Sequence, residues 1–235
     1  MFDTLLELPL FQGLGREDLT RILESTRMAF TTVRKDVTFI RQGEACTGLT
    51  FIIDGRVDML TRSADNSWEV AEQVSTPAVV GTDVLYGRLR THRHSYSALA
   101  TTRIMQMDKR TAAALTSYFE VFRLNLLNLL TTTIVRRDQL LWLPPSPSLE
   151  ARLIAFFRLH IDRPAGYKRF TISLPQIGAY LGEDPRYVSR ALHRLADNGL
   201  IRLGRRMIEI PTFERLLSDT PETGNRSINI HTNER

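Results

Sequence analysis

The chain has 235 residues, of which 43% are hydrophobic and 24% charged, with a formal net charge of +5. That balance belongs to a folded globular protein and excludes wholesale disorder. The single cysteine, Cys46, excludes an intramolecular disulfide and any four-cysteine zinc or iron–sulfur site within one chain, and it reads as a small buried hydrophobe. No stretch reaches the roughly 18 uninterrupted apolar residues that span a bilayer, and the opening MFDTLLELPLFQGLG lacks the basic segment of a secretory leader. The expectation is a cytoplasmic protein with no membrane partner.

The positive charge is unevenly placed. Residues 1–148 carry 17 Lys and Arg against 16 Asp and Glu, residues 149–217 carry 12 against 7, and residues 218–235 carry 2 against 3. An excess confined to one segment is the electrostatic footprint of a part that faces phosphate.

In chain order, apolar residues near helical spacing from Thr4 to Arg27 predict two short helices around a Gly-Leu-Gly turn at 13–15. From about 30 to 108 the period falls to two. Segments at Thr38–Ile40, Leu49–Ile53, Arg56–Leu60, Trp68–Val74, Ser95–Ala100 and Arg103–Met107 predict a small antiparallel barrel or roll. Asp54-Gly55 tolerates positive φ and predicts a tight β-hairpin.

Residues 109–143 are helical in pattern. Leu127, Ile134 and Leu141 recur every seven residues, with Leu130 in a second row, a seam for a partner helix. A long helix packed on its own domain is the other reading, because Arg137 falls where a seam wants an apolar residue. Three prolines between 144 and 147 forbid helix continuation and mark a hinge at 144–148. A helix follows from about Leu149 to Ile161, with Leu149, Leu153, Ile154, Phe156, Phe157 and His160 inward. The polar tail, 218–235, is expected to be disordered.

The most informative stretch is Phe170 to Pro211. Ser173-Leu-Pro-Gln176 has the capping-box arrangement. The helix it starts turns Ile177, Tyr180 and Leu181 inward and ends at Gly182. Asp184-Pro185 then supplies a second N-cap with proline at the first helical position. On the second helix, Val188, Ala191, Leu192 and Leu195 form an apolar stripe, which leaves Arg186, Ser189, Arg190 and His193 together on another face. A helix pair joined by a tight turn is the helix-turn-helix pattern, whose second helix enters the major groove of DNA. Arg186, Ser189 and Arg190 are the candidate base contacts. The hairpin from Leu200 to Ile210 puts Arg205 and Arg206 at its tip, and with Lys168, Arg169 and His193 these are the candidate phosphate contacts.

Over residues 5–217 the chain resembles the CRP/FNR family. The matching pieces are PLFQGLGREDL near the start, FIRQGE at 39–44, LTFIIDGRVDML at 49–60, Gly81, the long helix, and LPQIGAYLGEDPRYVSRALHRLADNGLIRL at 174–203. The resemblance implies an α+β fold in three parts. The first is an N-terminal antiparallel β-roll of the cyclic-nucleotide-binding kind (a double-stranded, jelly-roll-like β-helix) over 1–117. A dimerisation helix over 118–143 and a winged helix-turn-helix over 149–217 complete it. It also implies a homodimeric transcription regulator on a palindromic operator, with RNA polymerase as a further partner of an activator.

Departures from the family pattern decide what the roll senses. The cassette that holds cyclic AMP in relatives corresponds here to Gly81 and Thr82, then Arg93, His94 and Ser95, the candidate effector pocket. Thr82 replaces the ribose-binding Glu, and His94 stands where the phosphate-pairing Arg belongs, with Arg93 as its substitute if the loop is shifted by one residue. A neutral imidazole offers no bidentate fork, so an unidentified effector other than cyclic AMP is expected. Tyr86, Tyr96 and Leu99 are large enough to fill the interior. Haem sensing, known among relatives, is a second reading, with His92, His94 or Met105 as ligands, and a ligand-binding module without DNA activity is a third. In the family's reading helix an acidic residue accepts from cytosine. Its place is taken here by Arg186, which implies a half-site weighted towards guanine. No nucleophile elbow, HExxH, P-loop or dinucleotide fingerprint is present, and the chain is not expected to be an enzyme.

Overall fold

The computed structural model describes residues 2–142, Ser146 and residues 148–218. Pro144, Pro145 and Pro147 of the expected hinge, and the expected disordered tail from 219 on, lie outside the described residues. The chain forms two compact units, Met1–Leu143 and Pro144–Arg235.

The first unit begins with α1 (Phe2–Leu6) and α2 (Arg16–Ser25). Eight strands follow: β1 (Ala29–Val33), β2 (Thr38–Ile40), β3 (Gly48–Asp54), β4 (Val57–Arg62), β5 (Glu69–Val74), β6 (Ala78–Val80), β7 (Ser95–Ala98) and β8 (Thr102–Asp108). It ends in α3 (Lys109–Tyr118) and α4 (Glu120–Leu141). The second unit holds α5 (Leu149–Leu159), β9 (Lys168–Thr171), α6 (Leu174–Leu181), α7 (Pro185–Asp197), β10 (Arg202–Gly204), β11 (Met207–Ile210) and α8 (Phe213–Ser218).

The eight strands make two antiparallel sheets. One runs β1-β8-β3-β6 and the other β5-β4-β7-β2. Every strand sends a residue into the interior between them, including Val33, Ile40, Ile52, Val57, Val74, Val80, Tyr96 and Ile104. That is the expected roll. Period-two alternation gives β3 and β8 a second buried face. Leu49, Phe51, Met105 and Met107 turn away from the interior and pack with Leu10, Phe11, Leu19, Leu115 and Phe122 from the flanking helical segments. Phe11 sits at the centre of this second core, edge-on to Phe51 at 5.4 Å and to Phe122 at 5.3 Å.

Three expectations change. The predicted hairpin at Asp54-Gly55 is not one, because β3 and β4 lie in different sheets: Asp54 still pairs with Arg103, while Val57 pairs with Val74 and Ala98. The turn chemistry is real, with Gly55 at φ 114°, but it carries the chain from one sheet to the other. The stretch read as continuous helix from 109 breaks at Phe119, which adopts φ −117° and ψ 106°. Its ring packs against the helix-side core, and the Arg21 guanidinium lies 5.7 Å from the ring centre. The strands β1 and β6 were not foreseen. The first has only Val33 buried and forms an edge, and the second spans three residues, too short to show a period.

A side chain at Gly55 has no room: a Cβ would lie 2.4 Å from Thr102 Oγ1 and 2.8 Å from Thr102 Cα, in a backbone region that L-residues avoid. Gly55→Ala is expected to lower unfolding free energy by at least ~1 kcal/mol, read as a lower urea midpoint with unchanged slope.

Candidate nucleic-acid interface

The core of the second unit is aromatic and aliphatic. Leu153, Phe156 and Phe157 from α5 meet Phe170 of β9, with Phe157 and Phe170 rings 4.8 Å apart. On this core α6 starts at Ser173, whose N–H and hydroxyl both donate to Gln176 Oε1, at 2.9 and 2.7 Å. Ile177 is buried as expected. Tyr180 is not, standing 55% exposed with its ring against Phe156 and His160. Burial holds the His160 imidazole below its ordinary pKa, against a hydrogen bond to the Phe156 carbonyl.

Helix α6 ends at Gly182, and Asp184 caps α7 by accepting the Arg186 N–H at 2.8 Å. The two helices meet closely. A Cβ on Gly178 would lie 2.6 Å from the Glu183 carbonyl oxygen, so only glycine fits there. Val188, Ala191, Leu192 and Leu195 are buried, and Arg186, Arg190 and His193 are exposed with Ser189 half-buried between them. The helical period thus delivers the expected face as one surface.

Neither arginine hangs free. Arg186 donates from Nε and Nη2 to the two carboxylate oxygens of Asp184, at 3.1 and 3.0 Å, and the Arg190 guanidinium lies 4.7 Å from the Tyr187 ring centre. The paired guanidinium holds the Asp184 carboxyl down to about 2. His193 Nδ1 is 2.8 Å from the Ser189 carbonyl oxygen.

The wing is a three-stranded sheet, β10-β11-β9. Arg205 and Arg206 form its exposed two-residue tip, Arg206 with φ 56°. The wing is tied to the helix pair, because the Ile172 N–H donates to the Arg206 carbonyl at 2.9 Å one residue before the α6 cap. A groove between wing and helices is lined by Ser189, His193, Leu203, Arg206 and Met207 among others. Lys168, expected at the phosphates, is fully buried, and its Nζ donates to the Ala165 carbonyl at 2.6 Å. The alternation of β9 explains this correction: Lys168 shares the inward face of Phe170, and Arg169 takes the other face.

Two ion pairs hold the helix pair against α5. Arg152 donates to Glu183 Oε1 at 2.7 Å and also to the Leu181 carbonyl, one of the last of α6. Arg194 of α7 pairs with Glu150. Both were missed in the sequence, where they are ordinary surface charges far apart in the chain.

In the roll, the 81–83 and 92–95 segments lie side by side, but the expected effector residues are engaged with neighbours. Gly81, Thr82 and His94 are buried, and His94 Nδ1 is 2.7 Å from Thr61 Oγ1. Arg93 is exposed and paired with Asp83 at 3.4 Å. Ser95 Oγ accepts the Gln42 N–H at 2.9 Å. A cleft of about 490 Å³ does open at the roll, lined by Arg27, Phe39, Thr50, His92 and Gln106 among others, but by none of those five. Burial lowers the His92 pKa, with Asp83 and Glu44 pulling it back up.

Of the residues read as interior fillers, Tyr96 is in the interior core, whereas Tyr86 is half exposed beneath Lys109. Met105 belongs to the helix-side core and Tyr96, two residues from His94, to the interior, so Met105 and His94 do not converge on one haem site. Cys46 is buried and its Sγ–H donates to the Gly48 carbonyl at 3.2 Å, with burial pushing the thiol pKa up.

Arg152→Met is expected to cost about 1–2 kcal/mol of stability by stranding the Leu181 carbonyl and Glu183, seen as a lower melting temperature of the full chain. The Asp184 carboxyl should titrate near 2 by NMR. Because its folded value lies below its ordinary 3.8, its contribution to stability is full above that value and lost as pH falls through about 2.

The family model described as the Crp-like helix-turn-helix domain matches residues 151–218. Among solved structures, the chain is similar to the catabolite activator protein of Thermus thermophilus, at 20% identity over 88% of this chain and 96% of that one, TM-score 0.47. It is also similar to the sensor domain of the transcriptional regulator DNR from Pseudomonas aeruginosa, at 18% identity over 63% of this chain and 100% of that one, TM-score 0.48. No curated protein matches the sequence. No helix among the described residues is long and apolar enough to cross a membrane. The capped helix pair, its outward arginines and the wing all lie within residues 151–218, and this part of the chain is matched by the Crp-like helix-turn-helix domain.

Proposed function

We propose that the protein acts in the cytoplasm as a homodimer on a palindromic operator. Arg186, Ser189 and Arg190 meet base edges, and Arg169, His193, Arg205 and Arg206 meet phosphates. The observation that carries this reading is the single exposed face of α7, set on a fully buried stripe and flanked by the wing arginines. Arginine forks donate in parallel to guanine O6 and N7, so the half-site is weighted towards guanine.

The dimer seam lies along α4. Leu127, Ile134 and Leu141 are 49, 65 and 73% exposed, as are neighbouring Leu124 and Val135, while Leu130 packs partly on its own core. An exposed apolar row on a 22-residue helix is what a partner helix covers. The roll senses an effector other than cyclic AMP. What supports this is how the cassette's side chains are used: His94 is turned to Thr61, and the Arg93 guanidinium is paired with Asp83. An activator of this design also contacts RNA polymerase.

Selection from a random duplex pool near physiological salt should return a two-fold symmetric consensus, with half-sites about 34 Å apart. Arg190→Ala should weaken binding to that consensus about tenfold or more. Undiminished binding by this variant would exclude α7 as the reading element. Ile134→Glu should shift the protein to a monomer in sedimentation and abolish the two-fold symmetry.

A further inference from the structure

The reading arginines of α7 are both held by neighbours, but in different ways. Tyr187 supports Arg190 by its ring, whose centre lies 4.7 Å from the guanidinium carbon. Asp184 holds Arg186 by one edge, with Nε to Oδ1 at 3.1 Å and Nη2 to Oδ2 at 3.0 Å, while the same Oδ1 caps the helix through the Arg186 N–H at 2.8 Å. The guanidinium remains 84% exposed.

A guanidinium has five N–H donors, and this clamp uses two of them. The three left include the outer edge formed by Nη1 and Nη2, whose two parallel N–H groups match guanine O6 and N7. The clamp therefore aims the useful edge away from the helix and fixes several torsions that a free arginine would lose on binding. It also cancels the charge. A neutralised arginine gains little by swinging to the nearest phosphate, the contact that any sequence offers.

We propose that Asp184 is a specificity-determining residue, holding Arg186 as a pre-oriented guanine reader and withholding its charge from the phosphates. This rests on the reading of α7 given above.

The test compares wild type with Asp184→Ser, which keeps a capping oxygen and removes the clamp, and with Arg186→Ala. Each is carried through duplex selection and salt titration on a random-sequence duplex. With Asp184→Ser, guanine preference should fall about tenfold at the one position per half-site that Arg186→Ala abolishes. Binding to random duplex should instead rise, with a salt slope steeper by about 0.9 per protomer, while the melting temperature falls only by the small contribution of an exposed ion pair. A purely structural cap moves none of these in opposite directions.

Unchanged guanine preference in Asp184→Ser overturns the clamp. So does loss at a different base pair, which would make Asp184 itself the reader. If Arg186→Ala removes no position from the wild-type consensus, it is the base-contact role of Arg186 that fails, and the clamp with it.

Discussion

A sheet buried on both faces imposes strict order on its strands. Along β3 and β8 successive residues go to opposite cores, Ile52 and Ile104 to the roll interior and Phe51 and Met105 to the helix side. A one-residue slip would exchange the two sets and place Phe51, packed edge-on to Phe11, in the space that Ile52 fills. The register of these two central strands thus fixes where α2, α3 and the start of α4 can pack. Those helices are anchored by Leu19, Leu115 and Phe122 in a core that the sheet itself completes. Beyond this anchor α4 leaves Ile134, Val135 and Leu141 exposed, the face proposed above for a partner helix.

The second unit meets the same demand with helices. Its recognition helix has a buried stripe of four residues, so its opposite face is specified without any residue there being required for folding. This division lets the reading face change with little effect on stability. The supporting contacts lie behind it: Arg152 satisfies a carbonyl at the end of α6, and the Glu150–Arg194 pair joins α5 to α7. Orientation is held by residues that touch no DNA in the proposed mode.

Legibility in the sequence followed the range of the interactions. Ser173, Gly182 and Asp184-Pro185 act on backbone within a turn of themselves, so the bounds of α6 and α7 could be read directly. The stripe of α7 needs only periodicity. By contrast, Asp54-Gly55 announced a turn but not which strands it joins, because pairing is decided by residues as distant as Arg103. His94 could be placed at the cassette, but its turn towards Thr61, 33 residues away, could not be. Phe119 breaks a helix with no Gly or Pro to announce it. Lys168 alternates with Phe170 along β9, and that period, legible in the sequence, places it on the buried face despite its charge. Asp184 was read as a cap alone, although an aspartate two residues before an arginine at a helix start can serve both.

The hydrogen bond from Ile172 to the Arg206 carbonyl has a mechanical meaning beyond local order. It joins the residue before the α6 cap to the wing tip through backbone atoms alone, so this link is set by peptide geometry rather than by flexible side chains. A jaw of fixed opening gauges what is placed in it. In the proposed mode, duplexes whose grooves and backbone curvature already match the opening would be held without being bent, and stiffer or wider ones would be deformed at a cost that depends on their sequence. Base pairs that no side chain touches would then still be discriminated by how readily they yield to the jaw.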